Sequence, residues 1–127
     1  MRASAAAPAT VAWIAAALVF ALAGSAADLP PGLHAKLPCG KGNPYTYTAY
    51  LPPAYATTGD PLPVLFLSSP SAKPPVADWQ AWADAHEVVV IGIDDSRNGL
   101  EEKELIHIQD AVLAATDARL RLHPYLR

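Results

Sequence analysis

Three serines crowd into Ser68-Ser69-Pro70-Ser71, directly after the apolar run Val64-Leu65-Phe66-Leu67. A hydroxyl just past the carboxyl end of a core strand stands where α/β proteins place functional loops. None of the three is framed as Gly-x-Ser-x-Gly, and Pro70, Pro74 and Pro75 leave no room for a strand-to-helix elbow. On residue types alone the segment is a loop of small turn formers. Asp94 and Asp95 close a second apolar run, Val88 to Ile93, and a carboxylate there can orient a histidine or bind a cation. Mg²⁺ and Ca²⁺ need more convergent oxygens than one adjacent pair supplies, so turn duty ahead of a helix is the simpler role. His34, His86, His107 and His123 show neither His-x-x-x-His nor His-Glu-x-x-His spacing, which leaves zinc without a ligand set. No Gly-x-G-x-x-G or phosphate loop occurs, and no cofactor is expected.

Cys39 is the only cysteine. It excludes an internal disulfide and a cysteine-based zinc site, and leaves two readings open, a buried free thiol or half of a bridge to a partner elsewhere.

The elements that must position these residues follow from hydrophobic patterning. Residues 28–44 carry Pro30, Pro31, Gly32, Pro38, Gly40, Gly42 and Pro44 and are expected to be an irregular lead-in. Residues 45–51 alternate β-formers before Pro52-Pro53, which predicts an edge or antiparallel strand. A loop over 54–61, with Gly59-Asp60-Pro61 as its turn, precedes an apolar core strand at 63–67. Val76, Trp79, Trp82, Ala83 and His86 recur at helical spacing, so 76–86 is expected to be a helix that lays its tryptophans on the sheet. An exposed tryptophan pair would instead suit a carbohydrate platform. Residues 88–93 form a second β-branched strand. A helical wheel over 101–122 puts Leu105, Ile106, Ile108, Val112, Leu113, Ala115 and Leu120 on one arc, with Lys103, His107, Asp110, Asp117 and Arg121 opposite. Strand, helix and strand at this spacing predict a βαβ unit with a right-handed crossover.

The N-terminus has a different character. Arg2, the apolar run from Val11 to Ala23 and the small residues Gly24-Ser25-Ala26-Ala27 have the order of a secretory signal peptide over 1–27. An uncleaved anchor is the alternative, although 13 apolar residues fall short of the ~20 that a spanning helix needs. Cleavage leaves 100 of the 127 residues, room for one small domain. Loss of Arg2 takes the formal charge from −3 to −4, so no basic footprint for nucleic acid or an anionic membrane remains. The expected destination is secreted or periplasmic, with no membrane association after cleavage.

Tyr50-Leu51-Pro52-Pro53-Ala54-Tyr55, a turn, and then Pro61-Leu62-Pro63-Val64-Leu65-Phe66-Leu67 resemble the opening of secreted α/β-hydrolase esterases of the feruloyl-esterase and polyhydroxyalkanoate-depolymerase-like groups. The likeness runs on through 76–86, 88–93 and 101–122. It implies an α/β fold with a partial doubly wound, mainly parallel sheet over 45–127, truncated before the nucleophile elbow. It also implies a small ester as the substrate of the complete parent protein. The family's oxyanion loop maps onto Ser69, Ser71 and Ala72, where Ser68-Ser69-Pro70-Ser71 replaces the usual His-Gly and Pro70 has no N–H to donate. No catalytic residue is carried over, because the family's serine, acid and histidine would follow Arg127. The resemblance therefore predicts the N-terminal part of an exported ester hydrolase, inactive alone. The alternative is a small exported non-catalytic binding or structural protein.

Overall fold

The structure, a computed structural model, describes residues 29–126; the expected signal peptide lies outside the described residues. Four strands, β1 (Gly32–Pro38), β2 (Thr46–Leu51), β3 (Val64–Leu67) and β4 (Val89–Ile93), form one sheet in the order β1-β2-β4-β3. Strands β1 and β2 are antiparallel, β2 and β4 are antiparallel, and only β3 and β4 run parallel. The expected mainly parallel, doubly wound sheet of α/β-hydrolase type is thus incorrect. The sheet is mixed and mostly antiparallel. A short connection between β1 and β2 can only turn the chain back on itself, and that hairpin fixes the antiparallel half.

Strand β1 occupies part of the stretch expected to be irregular. Its residues alternate between half-buried and exposed, so it has no apolar run to announce it. The pairing slips between His34 and Leu37, where Lys36 takes a φ of 56°. A residue added at such a bulge twists an edge strand away from further pairing. Strand β2, with an edge position among its expected places, is interior.

Three helices complete the fold: α1 (Ala54–Thr57), α2 (Gln80–His86) and α3 (Glu102–Arg119), with a 3₁₀ turn at Val76–Trp79 leading into α2. Helix α3 covers one face of the sheet, where Ile108 and Val112 join Tyr47, Ala49, Leu51, Val64, Val89 and Ile91 in the main core. The opposite face packs Tyr50 and Val90 against Val76 and Ala83, with Leu67 and Trp79 alongside. The buried line of α3 is Ile108, Val112 and Thr116, whereas Ile106, expected inward, is 48% exposed. Thr116 tolerates complete burial because its hydroxyl donates back to the Val112 carbonyl at 2.8 Å. Among the described residues no helix is long and apolar enough to cross a membrane.

Gly92 sets the spacing between the sheet and the segment before α2. A Cβ there would lie 2.5 Å from Val76 Cγ2 and 2.7 Å from Pro74 Cγ, closer than packed carbons approach. Gly92→Ala should therefore destabilise the protein by about 1–3 kcal/mol, as overpacking does. Chemical denaturation would register this as a lowered midpoint, partly restored by Val76→Ala; an unchanged midpoint in G92A would contradict the packing described.

Candidate functional site

The polar residues of interest gather at the carboxyl ends of β3 and β4, because these strands are parallel neighbours and deliver their following loops to the same edge of the sheet. Residues 68–72 and 94–99 meet there. Ser71 forms an antiparallel bridge with Arg97, and the Asn98 N–H donates to the Pro70 carbonyl at 3.0 Å. Within the first loop, the Ser71 N–H donates to Ser69 Oγ at 3.3 Å and the Ala72 N–H to the Ser69 carbonyl at 3.2 Å. The two hydroxyls of Ser69 and Ser71 lie 3.1 Å apart and share a hydrogen bond. Ala72 sits in the left-handed region at φ 59°, which closes this tight turn.

These contacts bear directly on the oxyanion-loop position. Of Ser69, Ser71 and Ala72, the last two direct their N–H groups into the loop itself, and Pro70 has none. An oxyanion hole needs donors aimed at the space where charge develops, so the loop would have to open before Ser71 or Ala72 could serve. Beside the loop, Phe66, Ser68, Ile93, Gln109 and Leu113 line a hollow of about 280 Å³ between the sheet and α3.

Asp94 and Asp95 are drawn into the fold. Asp94 is buried, and its two carboxylate oxygens accept from Thr46 Oγ1 at 2.8 Å and Thr48 Oγ1 at 2.9 Å. Asp95 accepts the Thr46 N–H at 2.9 Å. The pair thus fastens the start of β2 to the end of β4, a role invisible in sequence because the partners lie 46 to 49 residues apart. Among the described residues no group of three or more histidine, cysteine, aspartate or glutamate side chains could hold a metal ion.

Cys39 lies near these carboxylates. Burial first, then the charges of Asp95 and Asp94, push its thiol above its ordinary range, so it stays protonated and is a poor nucleophile. The histidines are scattered. His34 Nε2 pairs with the Pro30 carbonyl at 2.7 Å, His86 stacks on Trp82, and His123 Nδ1 accepts from the Tyr125 N–H at 3.2 Å. His107 is exposed on α3. Among the described residues no histidine hydrogen-bonds a serine. Trp79 is half-buried, while Trp82 is 39% exposed and meets Trp79 edge-on. The tryptophans therefore differ in setting and do not share one flat, exposed face.

Two tyrosines are held protonated. Burial pushes the Tyr47 hydroxyl up, against the weaker opposing pull of Arg119 nearby. Arg119 acts there mainly through its charge, since among the described residues the buried hydroxyl has no partner in hydrogen-bond geometry. Tyr50 donates to Asp84 Oδ1 at 2.6 Å. That hydrogen bond, followed by burial and the Asp84 charge, pushes its pKa up to about 12. No family model matches the chain, and no curated protein or solved structure shows significant similarity to it.

A phenol whose pKa rises on folding stabilises the fold below its unfolded value, and that contribution disappears as pH climbs through the folded value. For Tyr50 the window runs from 10 to about 12. Tyr50→Phe should cost about 0.5–1.5 kcal/mol at neutral pH through the lost hydrogen bond. It should also flatten the alkaline decline in stability across that window. Denaturation midpoints as a function of pH would check both effects, and a variant with an undiminished alkaline slope would exclude Tyr50 as its source.

Proposed function

We propose that this is an exported protein whose described domain is a non-catalytic binding scaffold. The observation that carries this reading is how Ser69, Ser71, Asp94 and Cys39 are already engaged within the fold. The Ser69 and Ser71 hydroxyls bond each other, Asp94 is held by two threonines, and the Cys39 thiol is held protonated. A serine nucleophile needs a base within hydrogen-bond reach and the base needs an orienting group. No such chain of contacts begins at Ser68, Ser69 or Ser71 among the described residues. The N-terminal apolar run supports export.

A second reading keeps ester hydrolysis as the activity of a longer protein of which these residues form the N-terminal part. It draws on the resemblance of residues 50–67 to secreted esterases. One structural observation favours it: the loop at 68–72 lies at the carboxyl end of a parallel strand pair, the location at which open sheets assemble ligand sites. In that reading these residues supply a wall and further residues supply the chemistry.

The scaffold reading predicts that the exported protein hydrolyses nitrophenyl acetate no faster than buffer and takes no label from a fluorophosphonate. Turnover abolished by Ser69→Ala or Ser71→Ala would overturn it and move the loop into the reacting centre.

A further inference from the structure

The chain holds two asparagines, Asn43 and Asn98, in opposite settings. Asn43 precedes Pro44, whose nitrogen carries no hydrogen, and its Oδ1 accepts the Tyr45 N–H at 2.9 Å. Asn98 precedes Gly99, and both residues are exposed. Among the described residues neither the Asn98 carboxamide nor the Gly99 N–H makes a hydrogen bond. Gly99 takes a φ of 92°, and a Cβ placed on it would meet nothing within 4 Å, so solvent reaches the peptide link from that side. The turn is nevertheless held at both ends. Before it, Arg97 bridges to Ser71 and the Asn98 N–H donates to the Pro70 carbonyl at 3.0 Å. After it, Leu100 packs against the main core, and the Glu101 carbonyl accepts the N–H groups of Glu104 and Leu105 at the start of α3.

We propose that Asn98-Gly99 is a self-modification site, at which the protein converts its own asparagine to aspartate and isoaspartate. Asparagine is a thermolabile residue, and its carboxamide carbon is an electrophile within reach of the next backbone nitrogen. The Gly99 nitrogen loses its proton to solvent and attacks Cγ of Asn98, forming a C–N bond. The Cγ–Nδ2 bond breaks, the amide nitrogen takes up a proton and leaves as ammonia, and a five-membered cyclic imide remains. Water then adds to one of the two ring carbonyl carbons and that carbon's bond to the Gly99 nitrogen breaks. Opening at Cγ gives an ordinary aspartyl link, and opening at the backbone carbonyl carbon gives an isoaspartyl link through the side chain. The only co-reactant is water, and nothing is oxidised or reduced. Glycine suits the second position because it has no side chain to crowd the ring and lets the backbone approach closely. Asn43 is barred on both counts, by a following nitrogen without a hydrogen and by a carboxamide already engaged.

Either product sets a new carboxylate beside Arg97, on the loop that meets the serine loop. The isoaspartyl product also lengthens the backbone between the two anchors, so the Asn98–Pro70 contact is the one that must yield. The inference goes beyond the scaffold reading and does not depend on it. Its test keeps the exported protein folded in mildly alkaline buffer and samples it over days. Digestion by a glutamate-specific protease at mildly acidic pH stops the reaction and releases residues 88–101, between Glu87 and Glu101. The parent peptide should be lost progressively to two products that separate on chromatography and carry the mass gain of OH in place of NH₂, while Asn43 stays intact. Gly99→Ala should slow the loss, and Asn98→Gln should abolish the mass gain. Because G99A strains a turn at φ 92°, N98Q serves as the variant that leaves the backbone undisturbed. Survival of Asn98 in the folded protein, while a synthetic peptide of residues 94–103 converts in the same buffer, would overturn the proposal. So would an unchanged rate in G99A, a mass gain that persists in N98Q, or conversion of Asn43 as fast as that of Asn98.

Discussion

The backbone of Val89–Ile93 is hydrogen-bonded to β2 along one edge and to β3 along the other, and all five of its residues are buried. A strand in that position has no water to satisfy its polar groups, so both neighbours are obligatory. Each neighbour then fixes a further part of the molecule. Strand β2 brings Thr46 and Thr48 within reach of Asp94, and it carries Tyr47 and Tyr50 to opposite faces. Strand β3 delivers the serine loop to the Arg97 loop. Gly92 lets Pro74 and Val76 approach the strand closely enough for α2 to cap one face. The opposite face is closed by Ile108 and Val112 of α3.

That arrangement also explains why the end of α3 is tied down. Arg121 lies over the Tyr55 ring with its guanidinium carbon 4.2 Å from the ring centre, and it donates to the carbonyls of Tyr55 and Asp60. The Tyr55 hydroxyl in turn accepts the Arg121 N–H at 3.1 Å. Cation–π contact and hydrogen bonds together hold the departing chain against Leu62, which forms a parallel bridge with Leu122. The start of pairing on the outer edge of β3 is thus anchored by α1, a four-residue helix that the loop signals at 54–61 conceal.

Local pattern exposed the buried elements well. The apolar runs that become β3 and β4, the spacing that becomes α2 and the long helix α3 were all legible, because each is bounded by turn or proline signals and buries a periodic face. Strand β1 was hidden, since an edge strand with exposed residues and a bulge at Lys36 needs no apolar period. The place of β2 was undecided too: nothing in residues 45–51 distinguishes an interior antiparallel strand from an edge. The resemblance at residues 50–67 suggested parallel order, and hairpin geometry overrode it. On α3, the wheel misplaced Ile106 and missed Thr116, because burial followed the line of contact with the sheet rather than residue hydrophobicity. At the candidate site, the serine loop and the aspartate pair were visible as residue types. Their self-contained bonding was not, since Thr46 and Thr48 reach Asp94 only through the β2–β4 pairing.

What emerges, among the described residues, is a domain whose serine loop and aspartate pair bond within the fold and whose outer β3 edge is open beyond Val64. Native-state amide exchange tests that most directly, because protection in β3 should alternate residue by residue. The account predicts slow exchange at Ile91, Leu65 and Leu67, whose N–H groups lie within the ladder, and fast exchange at Phe66 between them. Protection of Phe66 equal to that of Leu65 would contradict the open edge, and rapid exchange at Ile91 would contradict the central place of β4.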